Sequence, residues 1–264
     1  MKTSNHLLRR LTAALLAAVL ALSIALPVFA SDDGDTIYIN SVSDLLSLAK
    51  SCAYDQWSVG KTVILQKDLS LEGMLWEPIP SFSGQFKGNG HTISDLTITG
   101  QYSPAGLFGI VEEQGSIESL SVRGIVSVSD SADTTTGGIV GINHGTLINC
   151  QFTGVVTGDS EVGGIVGRNE SEGTIDHSTA RAIVTGKSST GGIAGYNLGA
   201  ITGCTNVGSI NTEYPEASLD TDGFTAKMVD YINNKMAAAA DDATNSVTNV
   251  ATDTGDATNS VTNV

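Results

Sequence analysis

The chain has 264 residues and sets 28 Asp and Glu against 13 Lys and Arg, a net charge of −15. Nucleic acid is thereby excluded as a natural partner, because phosphate binding is dominated by basic side chains. Three cysteines form an odd set, which excludes a disulfide scaffold.

In chain order, residues 1–30 read as a signal peptide. Lys2, Arg9 and Arg10 precede an apolar run from Leu11 to Leu26, and Val28, Phe29 and Ala30 supply the small-residue pattern that a signal peptidase reads, so the mature chain is expected to begin at Ser31. The apolar run is shorter than the ~20 residues of a comfortable span, so no membrane span is expected after cleavage. The competing reading, an uncleaved anchor, also implies export. Removing the segment leaves 10 basic side chains against 28 acidic ones, a charge that favours solubility and a monomer outside the cell.

Residues 31–60 read as a strand and a cap helix. Thr36 to Asn40 is the strand, and Ser43-Asp44 opens an amphipathic helix carrying Leu45, Leu46, Leu48 and Ala49, with Ser41 or Ser43 as N-cap. Five phrases follow at spacings of 24 to 30 residues. They begin at Ile93, Ile117, Leu147, Ile175 and Ile201, continue three positions on with Leu96, Leu120, Cys150, Ser178 and Cys204, and two further on with Ile98, Val122, Phe152, Ala180 and Asn206. Gly100, Gly124, Gly154, Ala182 and Gly208 close them. Self-similarity at such a period is the mark of a solenoid. Ahead of four phrases stands a second one, at Gly106 to Gly109, Gly138 to Gly141, Gly164 to Gly167 and Gly192 to Gly195, with Asn143, Asn169 and Asn197 two residues beyond the last three.

These phrases resemble the GLUG motif, with its Gly-Leu-small-Gly core, found in tandem in bacterial secreted and surface proteins. The segments Lys61 to Leu65, Trp76-Glu-Pro-Ile79 and Phe82 to Ile93 resemble the stretch leading into such repeats, so the likeness spans residues 36 to 212. It implies an all-β fold, a right-handed parallel β-helix or solenoid of short repeats over 61–214, with helical caps at each end, in a secreted or cell-surface bacterial protein.

The residues support the same coil independently. Positions such as Leu120 and Val122 alternate with polar ones, the period of a strand with one buried face, while the three-residue step from Ile117 to Leu120 breaks parity and demands a bend. The closing glycines are expected at a corner, through positive φ or close backbone approach. Ile93, Ile117, Leu147, Ile175 and Ile201 are expected to form one interior column. Ser178, Ala180 and Asn206 weaken the later rungs, so stability should decline toward the carboxyl end. Asn143, Asn169 and Asn197 are expected to stack as an amide ladder. Cys150 and Cys204, two rungs or roughly 9.6 Å apart, lie beyond disulfide reach and read as small buried hydrophobes, and Cys52 has no evident partner.

Residues 215–240 read as the rear cap, with Phe224, Met228, Ile232 and Met236 at helical spacing after Asp220-Thr-Asp-Gly223. Residues 241–264 repeat a nine-residue unit 14 positions apart and read as a linker or a thin helical stalk, with further protein expected beyond.

The polar residues offer few groupings capable of chemistry. His91 lies in a Gly-Asn-Gly-His turn. Asp176, His177, Arg168 and Glu170 form the best acid, base and cation grouping, but within one coil. No H-E-x-x-H, G-x-S-x-G or Walker pattern is present, and Asp220-x-Asp222-Gly lacks the rest of a calcium loop. No catalytic residue, metal or cofactor is expected. The varied positions are instead Ile110, Ile142, Arg168 and Tyr196, together with Asp130 and Asp133 in the loop from Ser127 to Thr136, and variable positions on a regular scaffold are where binding specificity resides. Arg168 reads there as an exposed side chain whose loss is neutral. The expected function is a non-catalytic adhesion, binding or spacer module for an extracellular protein or glycan. The alternatives are a glycan-active β-helix lyase or glycosidase, and the non-catalytic front part of a larger surface protein such as an IgA-specific metallopeptidase.

Overall fold

The computed structural model describes residues 35–54, 56–128 and 134–211. The signal segment, Asp130, Asp133, the rear cap and the 241–264 repeat lie outside the described residues. Within them the chain winds as a parallel β-solenoid. One face is a seven-stranded sheet, Thr36–Ile39, Thr62–Leu65, Gln85–Lys87, Ser116–Glu118, Thr146–Ile148, Thr174–Asp176 and Ala200–Thr202. A second face carries Leu69–Ser70, Thr92–Gly100, Ser121–Val128, Gln151–Thr157, Thr179–Thr185, Thr205–Asn206 and Ser209–Ile210. The third carries Ile79–Phe82, Phe108–Val111, Val140–Asn143, Val166–Asn169 and Ala194–Asn197, and three two-residue strands, Thr136–Gly137, Val162–Gly163 and Thr190–Gly191, stack beside it.

The interior column of the first sheet runs Ile37, Val63, Phe86, Ile117, Leu147, Ile175 and Ile201 by register. Ile93 is not its member, contrary to the sequence expectation. It lies one face further on, between Leu69 and Val122 in the second sheet. The error has a physical source. In the later phrases the three-residue step is a corner at which Ser119, Asn149, His177 and Gly203 adopt φ of 52°, 53°, 44° and 62°. In the first phrase the same step is a bulge at Asp95, φ 59°, inside one continuous strand, so Leu96 pairs with Gly124. A corner and a bulge each add one residue, and they leave the same mark in a sequence.

The segment before the repeats is also part of the coil. Its phenylalanines Phe82 and Phe86 pack with Phe108 of the first glycine phrase, with ring centroids 5.4 to 6.3 Å apart, in the core. Trp76 is buried and donates its indole N–H to the Leu107 carbonyl at 3.1 Å. The first sheet starts at Thr36, whose strand pairs with Thr62–Leu65. Ser41 caps the helix Val42–Ser51, its hydroxyl accepting from the Asp44 amide, and the Asp44 carboxylate accepts from the Asn40 amide. Those contacts hold the Asp44 carboxyl below its usual range. Leu45 and Leu48 of the helix join the core.

Candidate binding surface

On the third sheet the inward positions are all apolar, while the outward ones differ in chemistry. Phe108, Val140, Val166 and Ala194 line the core in register, while Ser81, Ile110, Ile142, Arg168 and Tyr196 stack on the outer face. Each outward residue is partly exposed. The sequence-predicted residues Ile142, Arg168 and Tyr196 are therefore consecutive members of one ladder, a rung apart. They meet because each occupies the same place after a Gly-x-x-Gly turn. That turn needs glycine for closeness: a Cβ on Gly138 would lie 2.4 Å from the Phe152 ring and from the Gly164 carbonyl oxygen.

Arg168 corrects an expectation. It is pinned rather than free, with a terminal guanidinium nitrogen 3.0 Å from Glu161 and its Nε 2.9 Å from Glu170. The Nε contact lies off the N–H axis, so it is an ion pair rather than a hydrogen bond. The guanidinium also sits 4.7 Å from the Tyr196 ring centroid, within cation–π range. Removing Arg168 would leave two half-buried carboxylates facing one another.

Beside the ladder's first members lies an open polar groove of about 440 Å³, lined by Gln56, Ser81, Ser83, Glu112, Glu113 and His144 among others. Ser81 donates to Glu112 at 2.8 Å. Sequence reasoning missed this groove, though a signal existed. Glu112, His144, Glu170 and Leu198 all follow the third-sheet strand at one place, each amide donating to the preceding rung, and their variety matches that of the ladder next to it.

The alternative catalytic grouping divides. Arg168 and Glu170 belong to the third face, whereas Asp176 and His177 pair with one another at 2.8 Å at the far end of the first-sheet strand. His177 sits at a left-handed corner whose equivalents are Ser119, Asn149 and Gly203. His91 likewise closes its turn, donating its amide to the Gly88 carbonyl and facing Asp68 at 3.1 Å. The Thr92 amide, and then His91, hold the Asp68 carboxyl below its usual range. Among the described residues no three His, Cys, Asp or Glu are grouped to hold a metal ion, and no helix is long and apolar enough to cross a membrane.

The amide ladder forms as expected. Asn143 donates to Asn169 and Asn169 to Asn197, each at 2.8 Å, and each side chain also donates to the carbonyl of a following glycine at 3.1 Å. Cys52, Cys150 and Cys204 are free and buried. Burial raises all three thiols, Cys52 to about 11 and Cys150 to about 12.

Residues 158–185 match the family model of the GLUG motif. The chain carries a GLUG repeat. The match begins at Gly158, crosses the glycine turn and the amide ladder, and ends with the second-sheet strand at Thr185, which is one complete winding of this GLUG solenoid. Halomucin of Haloquadratum walsbyi is 32% identical over 155 residues, 54% of this chain. A Gly-rich membrane protein of Evansella cellulosilytica is 30% identical over 137 residues, 38% of this chain. The chain spans only 2% and 16% of the length of these relatives. A crystal structure from Bacteroides ovatus, described as an immunoglobulin A1 protease, superposes with a TM-score of 0.53 and 20% identity, over 67% of this chain and 58% of that one. That likeness concerns the fold.

Proposed function

We propose that this GLUG solenoid is an exported, non-catalytic binding module of the cell surface, one that holds an extracellular protein or a neutral glycan against the outer face of its third sheet. The observation that carries the reading is the ladder Ser81, Ile110, Ile142, Arg168 and Tyr196, where the outward side chains pass from hydroxyl through two isoleucines to guanidinium and phenol while the strand scaffold beneath is constant. The two relatives, a halomucin and a Gly-rich membrane protein, support a surface setting. The net negative charge disfavours polyanionic glycans by like-charge repulsion. Non-catalytic status is supported by the division of the candidate acid, base and cation residues between two faces, because glycosidic chemistry needs carboxylates facing one another across a bond.

The test is retention of the purified full chain on immobilised neutral polysaccharides and extracellular-matrix proteins, with an Ile142→Ser/Tyr196→Ser variant alongside. Retention by the wild type and its loss in the variant is the expected result. Equal retention of both would overturn the ladder as the contact face, and retention on no surface would leave a pure spacer. Release of reducing ends or unsaturated sugars from any polysaccharide would overturn the non-catalytic reading.

A further inference from the structure

Beside the ladder from Ser81 to Tyr196 runs a second row on the third face, Ser83, Glu112, His144, Glu170 and Leu198, each two positions further along its rung. One rung shows how a carboxylate of that row is satisfied. Glu170 faces the guanidinium of Arg168, the ladder residue of its own rung, at 2.9 Å, and Glu161 shares the same guanidinium at 3.0 Å. Glu112 occupies the equivalent place, its amide donating to the preceding rung as that of Glu170 does, but the ladder residue there is Ile110. Its cation is missing. Among the described residues no Lys, Arg or His lies within ion-pair distance of Glu112 or of its neighbour Glu113, and the Glu112 side chain accepts only from the Ser81 hydroxyl.

We propose that a partner supplies this cation, as an arginine side chain of an extracellular protein seated in the groove that Glu112 and Glu113 line. The inference rests on the third-sheet face as the contact surface, and it selects a protein over a glycan. Space is the first support. The groove holds about 440 Å³ and is lined by no Lys or Arg, a volume within the range of small-ligand sites. The second support is geometry. A guanidinium carries five N–H donors in one plane and can meet two carboxylates at once, as Arg168 does with Glu161 and Glu170. Apolar surface for the methylene stem is the third. Val59 lines the groove, and the partly exposed Ile110 and Ile142 each stand two residues before a lining residue, Glu112 and His144. The net charge of −15 draws a basic partner toward the whole molecule.

Amide chemical-shift titration of the full chain tests it, with Nα-acetyl-arginine amide as the probe and Nα-acetyl-citrulline amide, its uncharged isostere, as the comparison. Saturable shifts at Ser81, Ser83, Glu112, Glu113 and His144 are expected with the arginine probe and not with the citrulline probe. Glu112→Gln/Glu113→Gln keeps an oxygen to accept from Ser81, and it should weaken the arginine probe about tenfold, the loss of one charged contact. Glu72→Gln/Glu118→Gln removes the same charge from residues that do not line the groove and should leave the affinity unchanged. Equal binding of the two probes, no saturable shift at the lining residues, or equal weakening in the two double variants overturns the proposal. The retention assay separates this occupant from the face itself. On an extracellular-matrix protein that holds the wild type, the Glu112→Gln/Glu113→Gln chain should lose its retention. If Ile142→Ser/Tyr196→Ser abolishes retention and the glutamine variant does not, the face stands as the contact surface and the basic occupant falls. Where no surface retains the wild type, the titration decides alone.

Discussion

At the scale of single residues, the buried polar groups are the most constrained. Asn169 is fully buried and both accepts from Asn143 and donates to Asn197. Asn169→Asp replaces its donor with an oxygen that faces the Asn197 carbonyl oxygen and places a carboxylate in a site that desolvates it. Its loss should be about 3 kcal/mol at neutral pH. Desolvation raises the folded pKa of the new carboxyl above its unfolded value, so the protonated form is favoured in the fold. The deficit relative to wild type should therefore be smallest below about pH 4 and grow as pH rises. Urea midpoints at pH 3.5 and 7 that differ from wild type by equal amounts would contradict this. The thiols give a second residue-scale expectation. Cys150 titrates near 12 when folded against 9.0 for an ordinary thiol, because burial penalises the thiolate. The unfolded chain loses this proton first, so stability should fall between about pH 9 and 12, by up to about 1.4 kcal/mol per pH unit from this group. Cys150→Ala should flatten the pH dependence over that window. An unchanged slope in the variant would assign the alkaline loss to other groups.

At the scale of the element, glycine serves two distinct purposes, and one pair of substitutions separates them. Gly138 must be glycine because Phe152 and the next rung's carbonyl occupy the space a Cβ would take. Gly60 has φ +74° and open space around it. Gly138→Ala should cost more than about 2 kcal/mol, through forced displacement of a buried ring, whereas Gly60→Ala should cost only about 1 kcal/mol of backbone strain. Thermal unfolding of the two variants checks the order, and the reverse order would remove the steric account of the glycine turn. The closing glycines were misplaced on the same ground. Gly124 and Gly154 lie inside strands, not at corners, and a Cβ on Gly154 would collide with the Gly124 carbonyl oxygen. Ala182, their partner in register, is accommodated at that place in the next rung. The corner is instead taken by Ser119, Asn149, His177 and Gly203, three of which are not glycine. Glycine in the sequence therefore marked close approach, and the left-handed turns went unmarked.

At the scale of the whole molecule, a stack of coils is held by nearest-neighbour interfaces, so its stability follows local core quality along the stack. The front coils contain Trp76 and the three packed phenylalanines. The rear coils present Ser178, Ala180, Cys204 and Asn206 to the interior. Native-state hydrogen exchange should accordingly show amides of 174–206 opening at lower free energy than those of 62–111. Uniform protection along the stack would mean that the coils unfold as one unit and would discard the gradient.

The sequence by itself determined the coil. Its period, its alternation within strands, its asparagine ladder and its repeated glycine turn are each written locally, because every rung meets the same neighbours and must solve the same packing problem with the same residues. It also placed Ile142, Arg168 and Tyr196 at equivalent positions, and equivalence in a repeat is adjacency in space. Only the tertiary structure decided what depends on contact between rungs. It showed that Ile93 belongs to the second sheet, because a bulge and a corner shift parity alike, and that Phe86 takes the place assigned to it. It turned Arg168 from an exposed side chain into the centre of two ion pairs and a ring contact, since Glu161 reaches it from a turn outside the repeated phrases and the guanidinium lies over the Tyr196 ring of the next rung. It opened the groove around Glu112 and His144, which draws on coils from Gln56 to His144. And it showed Ile125, Val155 and Ile183 buried, where alternation alone assigns them to the solvent-facing side.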